Sequence, residues 1–169
     1  AAVSADSGHE VLVYDIDAVR ITKLNSGNHE EIESCLFEDG LADLLIRHKD
    51  RITFTIYYAE VTRYLDDCDA VFMCIQTPEI GETGESNLTY YNAAAEQLAK
   101  ALARRNSGAQ SKYTVIVNKS TVPIDMVDQT ATIMDGHKVI NYGVVSNPEF
   151  LVEGKAIQGS IKPDRVVVG

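Results

Sequence analysis

Apolar and polar positions fall into blocks along this chain. Apolar runs of strand length stand at residues 10–14, 52–54, 70–75, 113–117, 142–145 and 165–168, with helical spacing between them. The runs are continuous rather than alternating, the pattern of strands covered on both faces. They predict an α/β fold built on a doubly wound, mostly parallel sheet. Residues 18–25 read as a short helix, and Leu41, Leu44 and Leu45 have the i, i+3, i+4 spacing of an amphipathic one. The longest helix is predicted over 89–105, with Tyr91, Ala94, Ala95, Leu98, Ala101 and Leu102 as its apolar stripe and Asn87 as N-cap. Another begins after Pro123 and runs to about Met134. Residues 79–86 read as a flexible loop directly after a strand, and residues 1–7 as the tail of a helix stopped by Gly8.

Composition narrows the class. Apolar residues make up 45% and charged residues 24% of 169, the balance of a globular chain of single-domain length. No run reaches the ~18–20 apolar residues of a membrane span, and the first ten residues lack the basic and apolar regions of a signal peptide. A cytoplasmic location is the expectation. With 15 basic against 25 acidic residues the formal charge is −10, which disfavours a nucleic-acid partner. A dinucleotide or nucleoside diphosphate remains possible, because helix N-termini and single arginines act locally. Cys35, Cys68 and Cys74 have no C-x-x-C spacing, so neither a disulfide framework nor zinc is expected, and no metal site is predicted. Cys74, inside an apolar run, is expected in the core, and His9, His29, His48 and His137 at the surface.

Candidate chemistry collects where strands end. Asp15 follows the first run, the place where a carboxylate can accept bonds from an adenosine ribose diol and repel a 2′-phosphate; a solvated turn residue is the alternative. Asn118-Lys119-Ser120-Thr121-Val122-Pro123 follows the fourth run. The Thr121 hydroxyl could orient a water or meet a nicotinamide ribose there, or Thr121 or Ser120 could simply cap the next helix. Ser146-Asn147-Pro148-Glu149-Phe150-Leu151-Val152-Glu153-Gly154 follows the fifth. If Pro148 starts a helical turn, Glu149 and Glu153 share a face and one can serve as general base; an ordinary acidic first turn is the other reading.

Taken with residues 71–78, 86–95 and the closing Pro163-Asp164-Arg165-Val166-Val167-Val168-Gly169, these motifs resemble the N-terminal half of the UDP-glucose/UDP-mannuronate dehydrogenase family. The likeness is greatest to members that oxidise UDP-glucose, favoured by Lys119 and the Asn-Pro-Glu-Phe string. It implies a Rossmann-like domain binding NAD, and NAD-dependent oxidation of the C6 alcohol of UDP-glucose to UDP-glucuronate. UDP-N-acetylmannosamine oxidation, or a non-catalytic nucleotide-binding or interaction module, are the alternatives. In a Rossmann-like domain Asp15 would hold the ribose, and the resemblance places Arg20 near the adenosine phosphate and Thr77 of Gln76-Thr77-Pro78 along the cofactor. It casts Thr121 in a site role, Glu149 in water activation and Glu153 against both cofactor and substrate. Phe150 and Leu151 would hold the UDP-sugar through their backbone.

Two departures stand out. Gln76 replaces the family's usual glycine, and the family's E-P-G-L turn reads Glu38-Asp39-Gly40-Leu41. The opening strand and its G-x-G-x-x-G turn find no counterpart. The expectation is therefore a partial NAD-binding domain over 1–169, without that segment, the central helix or the C-terminal UDP-sugar-binding domain. The nucleophilic cysteine would lie in that absent region, catalysis by this chain alone is not expected, and the whole enzyme would be a homo-oligomer.

Overall fold

The computed structural model describes residues 1–81, 84–107, 112–123, 125–152 and 154–169. Two compact units emerge, Ala1–Arg63 with Phe150–Arg165, and Tyr64–Glu149 with Val166–Gly169.

In the first unit, β1 (Val11–Tyr14) and β2 (Ile52–Thr55) run parallel in the register Val11 to Ile52 through Tyr14 to Thr55. A parallel pair needs a long crossover, and helices α2 (Ala18–Asn25), α3 (His29–Leu36) and α4 (Leu41–Arg47) supply it. Their apolar faces, with α1 (Ala2–Asp6), bury Ile21, Leu24, Ile32, Ala42, Leu44 and Leu45 around Ile52. Gly8 ends α1 at φ +96°, a conformation that side chains with a Cβ rarely adopt. α5 (Tyr58–Tyr64) has no buried residue, nor does α8 (Ala156–Ile161).

The second unit holds a three-stranded parallel sheet in the order β3 (Ala70–Met73), β4 (Thr114–Asn118), β5 (Tyr142–Ser146). Ala70 pairs with Val115 and Thr114 with Tyr142. α6 (Thr89–Ala103) crosses from β3 to β4 and α7 (Met126–Gly136) from β4 to β5. α6 buries Tyr91, Ala95, Leu98, Ala99, Ala101 and Leu102, close to the stripe read from spacing. Asn87 is not its N-cap: Leu88 holds that position and no side chain caps the helix, while Asn87 sits one residue earlier, its Oδ1 accepting the Thr89 N–H at 3.0 Å.

Several expectations are corrected. Residues 165–168 form no strand; Gly169 exchanges two backbone bonds with Ser146 of β5, of 2.7 and 3.0 Å. β3 stops at Met73 because the Ile75 N–H turns to the Ser120 hydroxyl instead of a ladder partner. Cys74 is consequently exposed rather than in the core. Glu79 and Ser86 form an antiparallel bridge, so the loop between them is closed at its base. Among the described residues no helix is long and apolar enough to cross a membrane, and no cluster suits a metal ion. Three of the four histidines meet carboxylates: His29 faces Glu33 and Asp43, His48 faces Asp6 and His137 faces Glu96.

Candidate functional site

Each unit carries part of the predicted chemistry at strand C-termini. In the first unit the Asp15 N–H bonds the Thr55 carbonyl at 3.2 Å, which extends the parallel ladder by one residue and fixes Asp15 at its end. Its Oδ1 accepts the Asp17 N–H at 2.9 Å, and its Oδ2 accepts from Arg20 Nη1 at 2.7 Å. Asp17 in turn caps α2, accepting the N–H groups of Val19 and Arg20, both at 3.0 Å. Those backbone bonds, with the Arg20 guanidinium, hold the Asp17 carboxyl below its ordinary value. Arg20 is held more firmly protonated by the hydrogen bond to Asp15. A carboxylate has about four lone-pair sites. Asp15, with 29% of its side chain exposed, therefore keeps acceptor capacity for a diol while bound to Arg20.

In the second unit three motifs are joined where β3, β4 and β5 end. The Ser120 Oγ accepts from Ile75 N at 2.7 Å and donates to the Met73 carbonyl at 3.1 Å. Thr77 donates its hydroxyl to the Thr121 carbonyl at 2.8 Å, which ties Gln76-Thr77-Pro78 to the Ser-Thr-Val-Pro turn. Lys119 Nζ reaches Asn147 Oδ1 at 3.2 Å, and the Asn147 N–H bonds the Asn118 carbonyl at 3.0 Å. Asn147 Nδ2 also donates to the Val167 carbonyl at 2.7 Å. Ligands of open parallel sheets bind beyond the carboxyl ends of the strands, and these contacts gather the polar motifs there.

Neither Ser120 nor Thr121 caps α7: the helix starts at Met126, its N-cap position is Asp125, and no side chain caps it. Ser120 instead stitches the turn to β3. The Thr121 hydroxyl is exposed and without a hydrogen bond among the described residues, so it is available to a ligand. Glu149 is exposed too. The helical turn expected after Pro148 is not formed over residues 147–152, and Glu153 lies outside the described residues. Although the residue is exposed at the surface, local desolvation of its sulfur pushes the Cys74 thiol up, with the Glu149 carboxylate adding to the rise and Lys119 opposing it. A thiol held protonated in this way is a poor nucleophile. The sequence placed Cys74 in the core and so missed its position beside Glu149.

Beyond Glu149 the chain returns to the first unit. The Arg165 guanidinium lies 4.3 Å from the centroid of the Phe150 ring, a cation–π contact. A Cβ on Gly159 would come within 3.2 Å of Leu151 Cδ2, so Leu151 lies close against α8. Glu38 Oε1 accepts the Ile157 N–H at 3.1 Å, and Gly40 precedes α4 at φ +76°. A cavity of about 490 Å³ is lined here by Glu38, Asp39, Arg47, Gly154 and Lys155 among others. The altered Glu-Asp-Gly-Leu turn and the residues from Gly154 to Gln158 thus border one space.

Comparison with known proteins gives these motifs a family. The sequence pattern of the UDP-glucose/GDP-mannose dehydrogenase family, NAD binding domain, matches residues 1–169. A UDP-glucose 6-dehydrogenase of Pseudomonas aeruginosa is 36% identical over 177 aligned positions, covering 100% of this chain and 35% of that protein. The structure of a UDP-glucose dehydrogenase from Pyrobaculum islandicum superposes with a TM-score of 0.83 at 29% identity, over 99% of this chain and 37% of that one. A GDP-mannose dehydrogenase of Pseudomonas aeruginosa gives 0.82 at 27% identity, over 100% and 37%. The chain spans about a third of the length of these proteins. The parallel α/β architecture, the joined motifs and the match over the whole chain lead to one conclusion: the chain belongs to the UDP-glucose/GDP-mannose dehydrogenase family and represents its NAD-binding domain.

Proposed function

We propose that this chain is the NAD-binding part of an enzyme that oxidises the C6 alcohol of UDP-glucose to UDP-glucuronate. The observation that carries the reading is the joining of Gln76-Thr77-Pro78, Lys119-Ser120-Thr121 and Asn147-Pro148-Glu149 through the Thr77–Thr121 and Lys119–Asn147 contacts. A UDP-glucose relative at 36% identity supports the choice of sugar nucleotide.

The donor set fits NAD. Asp15 retains acceptor sites for the adenosine ribose diol, and its charge opposes a 2′-phosphate. Arg20, anchored on Asp15, offers its remaining N–H groups near the adenosine phosphate. Thr77 lies along the cofactor, while Thr121, its hydroxyl unengaged, binds the nicotinamide ribose or orients a water. NAD supplies the hydride acceptor. Glu149 has no competing hydrogen bond among the described residues and acts as base toward the hydrolytic water. Glu153 contacts cofactor and substrate, and the backbone at Phe150 and Leu151 holds the UDP-sugar.

Titration calorimetry of the chain with UDP-glucose, UDP-N-acetylmannosamine and GDP-mannose, each with NAD present, tests the reading. UDP-glucose is expected to give the tightest saturable binding, with a loss in Phe150→Pro, which removes the backbone N–H, and little change in Phe150→Ala. Preference for either other sugar nucleotide would overturn the substrate. NAD binding with no response to any of the three would favour a nucleotide-binding module without a substrate site of its own.

A further inference from the structure

Beneath the Ser-Thr-Val-Pro turn lies a group of polar side chains to which the proposed chemistry gives no role. Tyr91 on α6, Asn118 at the end of β4 and Thr130 on α7 are each fully buried. The Tyr91 hydroxyl donates to Asn118 Oδ1 and lies 2.9 Å from Thr130 Oγ1. Thr130 Oγ1 donates to the Met126 carbonyl at 2.6 Å, and Asn118 Nδ2 lies 3.4 Å from both Met126 O and Thr130 Oγ1. The two hydroxyl protons thus go to Asn118 Oδ1 and Met126 O and the two amide protons face Met126 O and Thr130 Oγ1, so no donor is left over.

Burying such groups is costly unless they are satisfied, and apolar side chains would fill the same volume without direction. The placement supplies the reason for polarity. Asn118 immediately precedes the turn that carries Ser120 and Thr121, and Met126 opens the helix that follows it. One network therefore grips both ends of the connection, while Tyr91 closes it from α6. We propose that Tyr91, Asn118 and Thr130 are positioning residues that fix the turn at residues 119–123, and with it the Thr121 hydroxyl. The inference rests on the proposed site role of Thr121.

Amide hydrogen exchange by NMR on the 169-residue chain tests it without any ligand. The Lys119 and Ser120 N–H groups bond the Met73 carbonyl at 3.1 and 3.2 Å and report the turn's position. Tyr91→Phe and Thr130→Val are expected to speed exchange at these two amides about tenfold while Val115 and Val144 keep their protection. Thr130→Ser, which restores the hydroxyl, is expected to return the wild-type rates. Unchanged rates at Lys119 and Ser120, or an equal rise across the whole sheet, would overturn the proposal. If Thr130→Val does not fold, Tyr91→Phe decides, since it removes one oxygen and keeps the ring. A chain that binds no NAD would sink the proposed function while leaving this exchange pattern to decide the positioning role.

Discussion

Replacing Ser120 by alanine removes the hydroxyl that joins the Ser-Thr-Val-Pro turn to the end of β3. The magnitude follows from what each partner loses. The Met73 carbonyl keeps the N–H groups of Lys119 and Ser120 as donors, so losing the Ser120 hydroxyl leaves it satisfied. Among the described residues the Ile75 N–H has no such second partner: its 2.7 Å bond to Ser120 Oγ is replaced by a methyl group in a half-buried setting. A typical lost bond costs about 1 kcal/mol and a stranded buried donor about 1–3 kcal/mol, the lower end applying where water can reach it. The expected total is about 2 kcal/mol. With a urea dependence of about 2 kcal/mol per molar, that moves the unfolding midpoint down by about 1 M. Urea titration followed by far-UV circular dichroism reads it, with Thr121→Ala as the paired comparison. Thr121 is the next residue, exposed and without a side-chain hydrogen bond among the described residues, so its stability is expected to stay within about ±0.5 kcal/mol, as is usual for surface changes, a midpoint shift of at most about 0.25 M. Equal midpoints for Ser120→Ala and wild type, or a larger loss in Thr121→Ala, would refute the assignment of structural work to Ser120 and availability to Thr121.

Two predictions concern pH. Asp17, held below its ordinary 3.8 by the Arg20 backbone N–H above all, contributes stability that is present above pH 3.8 and lost as pH falls through its lower folded value. The advantage of wild type over Asp17→Asn, which keeps a capping oxygen without the charge, should shrink in thermal melts below pH 3.8; a constant gap from pH 7 to pH 2 would contradict this. Tyr58 is pushed up to about 12 by burial and by Tyr14, and Tyr142 to about 12 by burial and its bond to Asp135. Their contribution is complete below the ordinary value of 10 and lost as pH rises toward 12. Absorbance at 295 nm should show a late component near 12 in the folded chain and a single wave near 10 in urea; coincident waves would count against the burial described.

Much of this architecture was legible because buried parallel strands write themselves as unbroken apolar runs, as at Val115, Ile116 and Val117. The long helix was equally plain, since α6 buries six residues of its length. Elements that bury little were not. α3 has one buried residue, Ile32, among the acids Glu30, Glu31 and Glu33, and only its cap gave a signal: Asn28 three residues before Glu31, whose N–H it accepts at 3.2 Å. α8 buries nothing and left no periodic trace. The run at residues 165–168 misled because apolar composition alone does not supply a pairing partner; its valines remain largely exposed. At the site, the motifs announced themselves, but the bonds that set them did not. Ser120 to Ile75 spans 45 positions and Tyr91 to Asn118 spans 27, separations at which spacing says nothing.

The most direct test of the account is calorimetric titration of the chain and of Asp15→Ala with NAD and with NADP. If Asp15 receives the ribose diol, NAD binds saturably and more tightly than NADP. Loss of its charge-assisted bonds, worth about 1.5–3 kcal/mol, then weakens NAD at least about tenfold while Arg20, freed from its 2.7 Å partner, narrows the gap to NADP. NADP binding as tightly as NAD to the wild type, or an Asp15→Ala chain with unchanged NAD affinity, would contradict it.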